Sequence, residues 1–138
     1  MIMQNFSLAA TEFTPAVHFN CKENQLVLKG NSYPENPSAF YAPVFDWLQQ
    51  YLAQLNPDTE VQVNVEIAYF NSGSSKMLVD FFDILNDKAF NDAIPIDINW
   101  YYDPEDPDIL EYGKDFQADF RAMKFQFIAG EYDSSIST

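Results

Sequence analysis

The stretch VQVNVEIAYFNSGSSKMLVDFFDILNDKAFNDAIPIDINWYY, residues 61–102, decides the fold. Its first ten residues alternate. Val61, Val63, Val65, Ile67 and Tyr69 fall on one side and Gln62, Asn64 and Glu66 on the other, which predicts a strand with one buried and one wet face. Met77, Leu78, Phe81, Phe82, Leu85 and Ala89 then recur at helical spacing, and IPIDINWYY, residues 94–102, supplies a second strand. Strand, helix and strand within about forty residues make a βαβ unit, whose two strands are parallel and whose crossover is right-handed in nearly all proteins. Its helix covers one sheet face, and the alternation leaves the opposite face solvated.

Outward from this unit, AVHFNCKENQLVLKG, residues 16–30, reads as a hairpin around Lys22, Glu23 and Asn24 that ends at Gly30 and Asn31. Asn36 stands as an N-cap with Pro37 at the first helical position. A helix to about Leu55 follows, with Phe40, Val44, Trp47, Leu48, Tyr51, Leu52 and Leu55 on its buried face and Pro43 predicting a kink or a later start. Downstream, DPEDPD at residues 103–108 opens a third helix through Ile109, Leu110, Tyr112, Phe116 and Phe120. MKFQFIAG adds a last short strand, and residues 131–138 read as a disordered tail. The expected fold class is α+β, α/β-like: one domain over residues 1–138, its ordered core about 14–130. It is a mixed sheet with an N-terminal hairpin and a βαβ unit, its helices packed mainly on one face.

Composition narrows the partners. The chain has 138 residues and is 47% hydrophobic, enough to fill one core. Seven Lys and Arg against 21 Asp and Glu give a net charge of −14, which repels nucleic-acid backbones and anionic lipid headgroups. Solubility accounts for this acidity, and docking of a basic partner is the functional alternative. Cys21 is the single cysteine, so neither a disulfide framework nor a cysteine metal site is expected, and a reducing compartment fits. The N-terminus lacks a basic region before an apolar core, and no apolar run reaches the length of about 20 residues that spans a bilayer. A cytoplasmic protein without cofactor is the expectation.

The serine-rich turn NSGSSK, residues 71–76, allows several chemistries. A serine nucleophile at a strand-to-helix turn needs flanking glycines and a histidine base. The chain's single histidine, His18, lies in the first hairpin strand, and a Ser-x-x-Lys pair with Lys76 would need serine where Gly73 stands. Asp103, Glu105, Asp106 and Asp108 lack the glycine and distal glutamate of a calcium loop and contain two prolines, so Asp106 capping a helix that starts at Pro107 is preferred. With 4 glycines, none forming a phosphate loop, nucleotide chemistry is unsupported. Two readings of the turn stay open: a plain cap, with Asn71 or Ser72 at the N-cap, or an anion and phosphate-acceptor site at the positive end of the helix, with Lys76 one turn on. No catalytic residue is assigned, and a small serine- or metal-dependent hydrolase is the weakest alternative.

Three blocks carry a resemblance: GNSYPENP at residues 30–37, YFNSGSSKMLVDFFDIL at 69–85 and INWYYDPEDPDILEYGKDF at 98–116. Together they resemble the SiaC-type regulatory phosphoprotein family, over residues from about Thr14 to Phe127. The resemblance implies a STAS-like fold and a place in partner switching. A protein kinase phosphorylates one hydroxyl, a PP2C-like phosphatase removes the phosphate, and the unphosphorylated form binds and activates a diguanylate cyclase, raising cyclic di-GMP and promoting biofilm or aggregation. The family's acceptor, typically threonine in Asn-Thr-Ser-Ser, falls on Ser72, in an Asn-Ser-Gly-Ser context. Ser74 and Ser75 are alternative acceptors, and Asn71, Gly73 and Lys76 are neighbours of the phosphate. Tyr33, Pro34, Glu35 and Asn36, the loop leading into the first helix, read equally as partner surface or as turn and cap chemistry, and Phe70 and Met77 are expected beside Ser72 on the partner surface. A constitutive STAS-like binding module that is never phosphorylated is the alternative reading.

Overall fold

The structure, a computed structural model, describes residues 3–133. Six strands and three helices alternate along the chain: β1 (Phe6–Leu8), β2 (Ala16–Asn20), β3 (Gln25–Ser32), α1 (Pro37–Ala53), β4 (Val61–Phe70), α2 (Ser72–Asp92), β5 (Ile96–Tyr102), α3 (Pro107–Asp119) and β6 (Lys124–Ala129). The sheet order is the chain order, β1 to β6; the first two pairings are antiparallel and the last three parallel. Each parallel step crosses over through one helix. When the strand order advances in one direction and every crossover has the same hand, all the crossover helices must lie on one face. The single βαβ unit read from residues 61–102 is thus repeated on either side of itself.

The covered face is built from alternate strand positions. Val17, Leu26, Leu28, Val63, Val65, Ile98 and Trp100 meet Tyr41, Val44 and Leu48 of α1 and Leu78, Phe81, Phe82 and Leu85 of α2 in one core. Phe82 lies at its centre, with ring centroids 5.0 Å from Phe116 of α3 and 5.7 Å from Phe125 of β6. Burying one such side chain contributes about 1.5–3 kcal/mol.

Parallel strands are usually covered on both faces, and the other face here tolerates the lack of a second helical layer through a ladder of amides. Asn99 donates to Asn64 (3.0 Å) and to Gln62 (3.1 Å), Gln62 donates to Asp97 (2.9 Å), and Asn64 donates to Gln25 (3.3 Å). The expected wet face of β4 is therefore only partly wet: Gln62 and Glu66 are half-buried and Asn64 is buried within the ladder.

Several local expectations change. β3 does not stop at Gly30 and Asn31 but continues to Ser32. It passes through Gly30 at φ +132°, a conformation that residues with a side chain rarely adopt, with Pro15 close alongside, and through a register shift at Gly30/Asn31. Gly30 pairs with Ile67 and Asn31 with Tyr69, so Ala68 is the extra residue of a bulge. The bulge ends the alternation of β4, and Tyr69 stands exposed instead of facing the core. Helix α1 starts at Pro37 despite Pro43 within it and ends at Ala53. Its buried set includes Tyr41, while Phe40, Trp47 and Leu55 are only partly covered. Strand β1 precedes the expected core; the Trp47 indole donates to the Gln4 carbonyl (2.8 Å) and Asn5 accepts from the Cys21 amide (3.0 Å), pinning it. The expected disordered tail lies mostly outside the described residues. Within them, the Tyr132 amide donates to Glu66 (2.6 Å) and its carbonyl accepts from Lys29 (2.8 Å).

Candidate functional site

The serine-rich turn sits where β4 leaves the sheet and α2 begins. Asn71 is the N-cap, in an extended conformation, and its side-chain oxygen accepts from the Ser74 amide at 2.9 Å. This resolves the choice between Asn71 and Ser72, because capping needs an extended residue whose side chain reaches the third helical amide. Ser72 is therefore the first helical residue. It is exposed, and its hydroxyl and amide, like the Gly73 amide, have no partner among the described residues. No acidic residue occupies the first turn of α2, so the partial positive charge there is uncompensated by the helix itself.

Ser74 and Ser75 differ from Ser72 through helix rotation. Ser74 lies three and four residues before Met77 and Leu78, on the stripe that faces the core, and is fully buried. Its hydroxyl accepts from Ser32 at 2.8 Å, and Ser32 is hydrogen-bonded to the Tyr41 hydroxyl at 2.6 Å. Burial pushes the Tyr41 pKa up, a shift that the Ser32 hydrogen bond partly offsets. Three hydroxyls thus clamp β3, α1 and α2 together, which removes Ser74 as an accessible acceptor. Ser75 is half-buried, its amide donating to the Asn71 carbonyl at 2.9 Å.

Gly73 has an ordinary helical backbone, and its constraint is space. A Cβ there would lie 2.8 Å from Pro37 Cγ, so the start of α1 rests against the start of α2. Lys76 is exposed one turn after Ser72, on the same side of the helix, and is in no ion pair among the described residues.

The expected partner residues separate into two groups. Tyr33 is half-buried between two other rings, Glu35 is exposed, and Phe70 is half-buried with its ring 4.9 Å from that of Tyr112. Met77, at 7% exposure, belongs to the core; Pro34 is buried; and the Asn36 side chain accepts from the Ala39 amide at 3.1 Å as the cap of α1. Each of these three has a role within the fold. Sequence reading missed the exposed rings of Phe13, Tyr69 and Tyr112.

The remaining candidate chemistries are not assembled. His18 lies in the middle of β2, paired with Val27, whereas Ser72 lies beyond the end of β4. In the acidic loop, Asp106 is the N-cap of α3 but makes no side-chain cap bond; Asp103 instead accepts from the Glu105 amide at 2.9 Å. A cleft of about 360 Å³ beside this loop is lined by Glu66, Ala68, Tyr101, Asp103 and Ile109, among others. Among the described residues no three His, Cys, Asp or Glu side chains converge as a metal site.

Comparison with known proteins now adds to this geometry. Residues 8–130 match the model of the SiaC family, SiaC family regulatory phosphoprotein, and the chain belongs to that family. The fold matches the crystal structure of the diguanylate cyclase SiaD in complex with its activator SiaC from Pseudomonas aeruginosa, with a TM-score of 0.83 and 26% identity over 91% of this chain and 99% of the matched one. Apo-SiaC from the same organism matches with a TM-score of 0.80 and 26% identity, over 94% of this chain and all of that chain. A Pseudomonas aeruginosa (strain UCBPP-PA14) protein described as uncharacterized is 27% identical over 117 residues, 85% of this chain and 90% of the relative.

Proposed function

We propose that this member of the SiaC family is a non-enzymatic, cytoplasmic switch protein whose unphosphorylated form binds and activates a diguanylate cyclase, and whose affinity is set by a phosphate on Ser72. A protein kinase adds that phosphate and a PP2C-like phosphatase removes it, so the chain couples the two to cyclic di-GMP and aggregation or biofilm control. The solved complex in which the related SiaC is the activator of SiaD supports the cyclase as output. No helix among the described residues is long and apolar enough to cross a membrane.

The observation that carries the site is the contrast among the serines. Of the three serines of this turn, Ser72 alone combines an exposed hydroxyl with unpaired helix-terminal amides and no neighbouring carboxylate in the turn, while Ser74 is locked into the core. A phosphoserine brings a charge of about −1.5 to −2 at neutral pH, which the helix terminus and Lys76 tolerate while the turn stays in water. Covering it with a partner would require stripping water from a dianion, a penalty of several kcal/mol unless cations meet it. The same hydroxyl without phosphate is covered at little cost, which makes the modification a toggle.

Intact-mass and peptide mapping of the protein isolated from its own cells tests the assignment. The expected result is one phosphate, on Ser72, absent from Ser72→Ala. A phosphate on Ser74 or Ser75 would overturn the assignment, and no phosphate under any growth condition would favour a constitutive binding module.

A further inference from the structure

We propose that the free edge of β6 pairs antiparallel with the β6 edge of a second copy of this chain, giving a symmetric dimer whose sheet runs on from one protomer into the other. The charges at the two ends of the strand select this occupant. The proposal is independent of the cyclase reading and concerns an edge two strands away from β4 and its serine-rich turn.

The two edges of the sheet are built differently. β1 is three residues long, and a very short edge strand is one of the ways proteins prevent pairing with other chains. β6 runs for six residues in unbroken register with β5, without proline or bulge. It pairs with β5 on one side, and among the described residues no hydrogen bond reaches its other side. The crossover helices pack on one face of the sheet, and the segment at Tyr132 is held on the other by Glu66 and Lys29. The chain's own segments thus occupy the faces and leave this edge open. Alternate amides and carbonyls of β6 point outward, the arrangement that accepts a further strand. Phe127 and Ile128, both half-buried and on opposite faces, keep apolar surface beside the edge that a neighbouring strand would cover.

The occupant follows from the distribution of charge along the strand. Residues 120–130 hold Arg121 and Lys124, two of the chain's seven Lys and Arg, and no Asp or Glu. Both are exposed. The other end of β6 opens on Glu131 and on the cleft that Glu131 lines together with Glu66, Asp103 and Asp106. Of these carboxylates only Glu66 is in an ion pair among the described residues, with Lys29. An antiparallel copy brings the basic start of each β6 to the acidic end of the other, and two-fold symmetry makes the match twice. Directly opposed side chains share a face, so pairing about Phe127 sets Phe127 against its own copy, Gln126 against Ile128, and Lys124 against Gly130, next to Glu131. The net charge of −14 drives copies apart in orientations that lack such a match. Six residues from each copy make a small interface, so the dimer is weak and reversible.

The test is sedimentation velocity on the full-length protein from micromolar to millimolar concentration, with hydrogen exchange to locate the contact and melting curves to confirm that variants fold. The wild type passes reversibly from monomer to dimer as concentration rises, and amides of residues 124–129 gain protection while those of β1 do not. Lys124→Glu and Glu131→Lys each weaken the dimer about fivefold or more, since each removes two symmetry-related pairs, and the double variant carrying both reversals comes back to within about twofold of wild type. Glu131→Lys separates the proposal from a general effect of charge. It lowers the net negative charge, so association governed by overall repulsion would tighten, whereas the match between strand ends predicts weakening. A monomer at every concentration would overturn the proposal. So would a dimer that Glu131→Lys tightens, one that the double reversal fails to restore, or one whose protected strand is β1. Each of these outcomes leaves the reading of Ser72 as it stands.

Discussion

Helices α2 and α3 leave the same edge of the sheet, one after β4 and the other after β5, and their first turns are built in opposite ways. At α3, the cap residue Asp106 makes no side-chain hydrogen bond, Pro107 has no amide to satisfy, and Asp108 places a carboxylate in the first turn. The positive end of α3 is occupied by its own acids. At α2, a neutral Asn71 caps the third amide, the first turn holds no acid, and an exposed serine leads the helix. An added anion gains at α2 what α3 already has. One turn carries its own anion and the other does not.

The two glycines that let these helices seat give the largest effect. A Cβ on Gly113 of α3 would lie 2.7 Å from Trp100 and 2.9 Å from Phe127, and Trp100 is fully buried with its indole donating to the Ile109 carbonyl at 2.9 Å. Gly113→Ala should therefore destabilise by about 3 kcal/mol, at the upper end of overpacking costs, read by chemical denaturation. Gly73→Ala meets only Pro37, a half-buried ring at the start of α1, and should cost about 1 kcal/mol. Equal losses would mean that the α1–α2 contact is as rigid as the α3 seat.

Next come the caps. Asn71→Ala removes a hydrogen bond and should cost about 1 kcal/mol whatever the salt concentration. Asp106→Ala removes only a charge near the helix terminus, about 0.3 kcal/mol, and that loss should fade in high salt. A larger or salt-insensitive loss at Asp106 would break the contrast between the two turns. The smallest effect is the most specific: Ser72→Glu should raise stability by about 0.3–1 kcal/mol in low salt while lowering affinity for the cyclase. Lower stability would mean that the start of α2 does not welcome an anion.

The contrast was partly legible in the sequence. Asn36 before Pro37 and the alternation of residues 61–67 announce a cap and a strand through local chemistry, and the structure has both. The whole sheet order follows from repeating one right-handed crossover. Ser74 was legible in principle, since it extends the helical stripe of Met77, Leu78 and Phe81 backwards by one turn, but three serines within four residues look alike until rotation about the helix is applied. Tyr69 was not legible. Its exposure depends on a register shift opposite Gly30, set by the pairing of two strands separated by a whole helix. Tyr41 was missed for a similar reason: its hydroxyl is tolerated in the core because Ser32, on another element, meets it.

The central claim is that one phosphate on Ser72 decides whether the chain engages its cyclase. The direct measurement is the rate of cyclic di-GMP synthesis by the partner cyclase, titrated with the unphosphorylated protein and, separately, with protein phosphorylated on Ser72 alone. Activation by the first and its loss with the second is the predicted result. Equal activation by both forms would contradict the account.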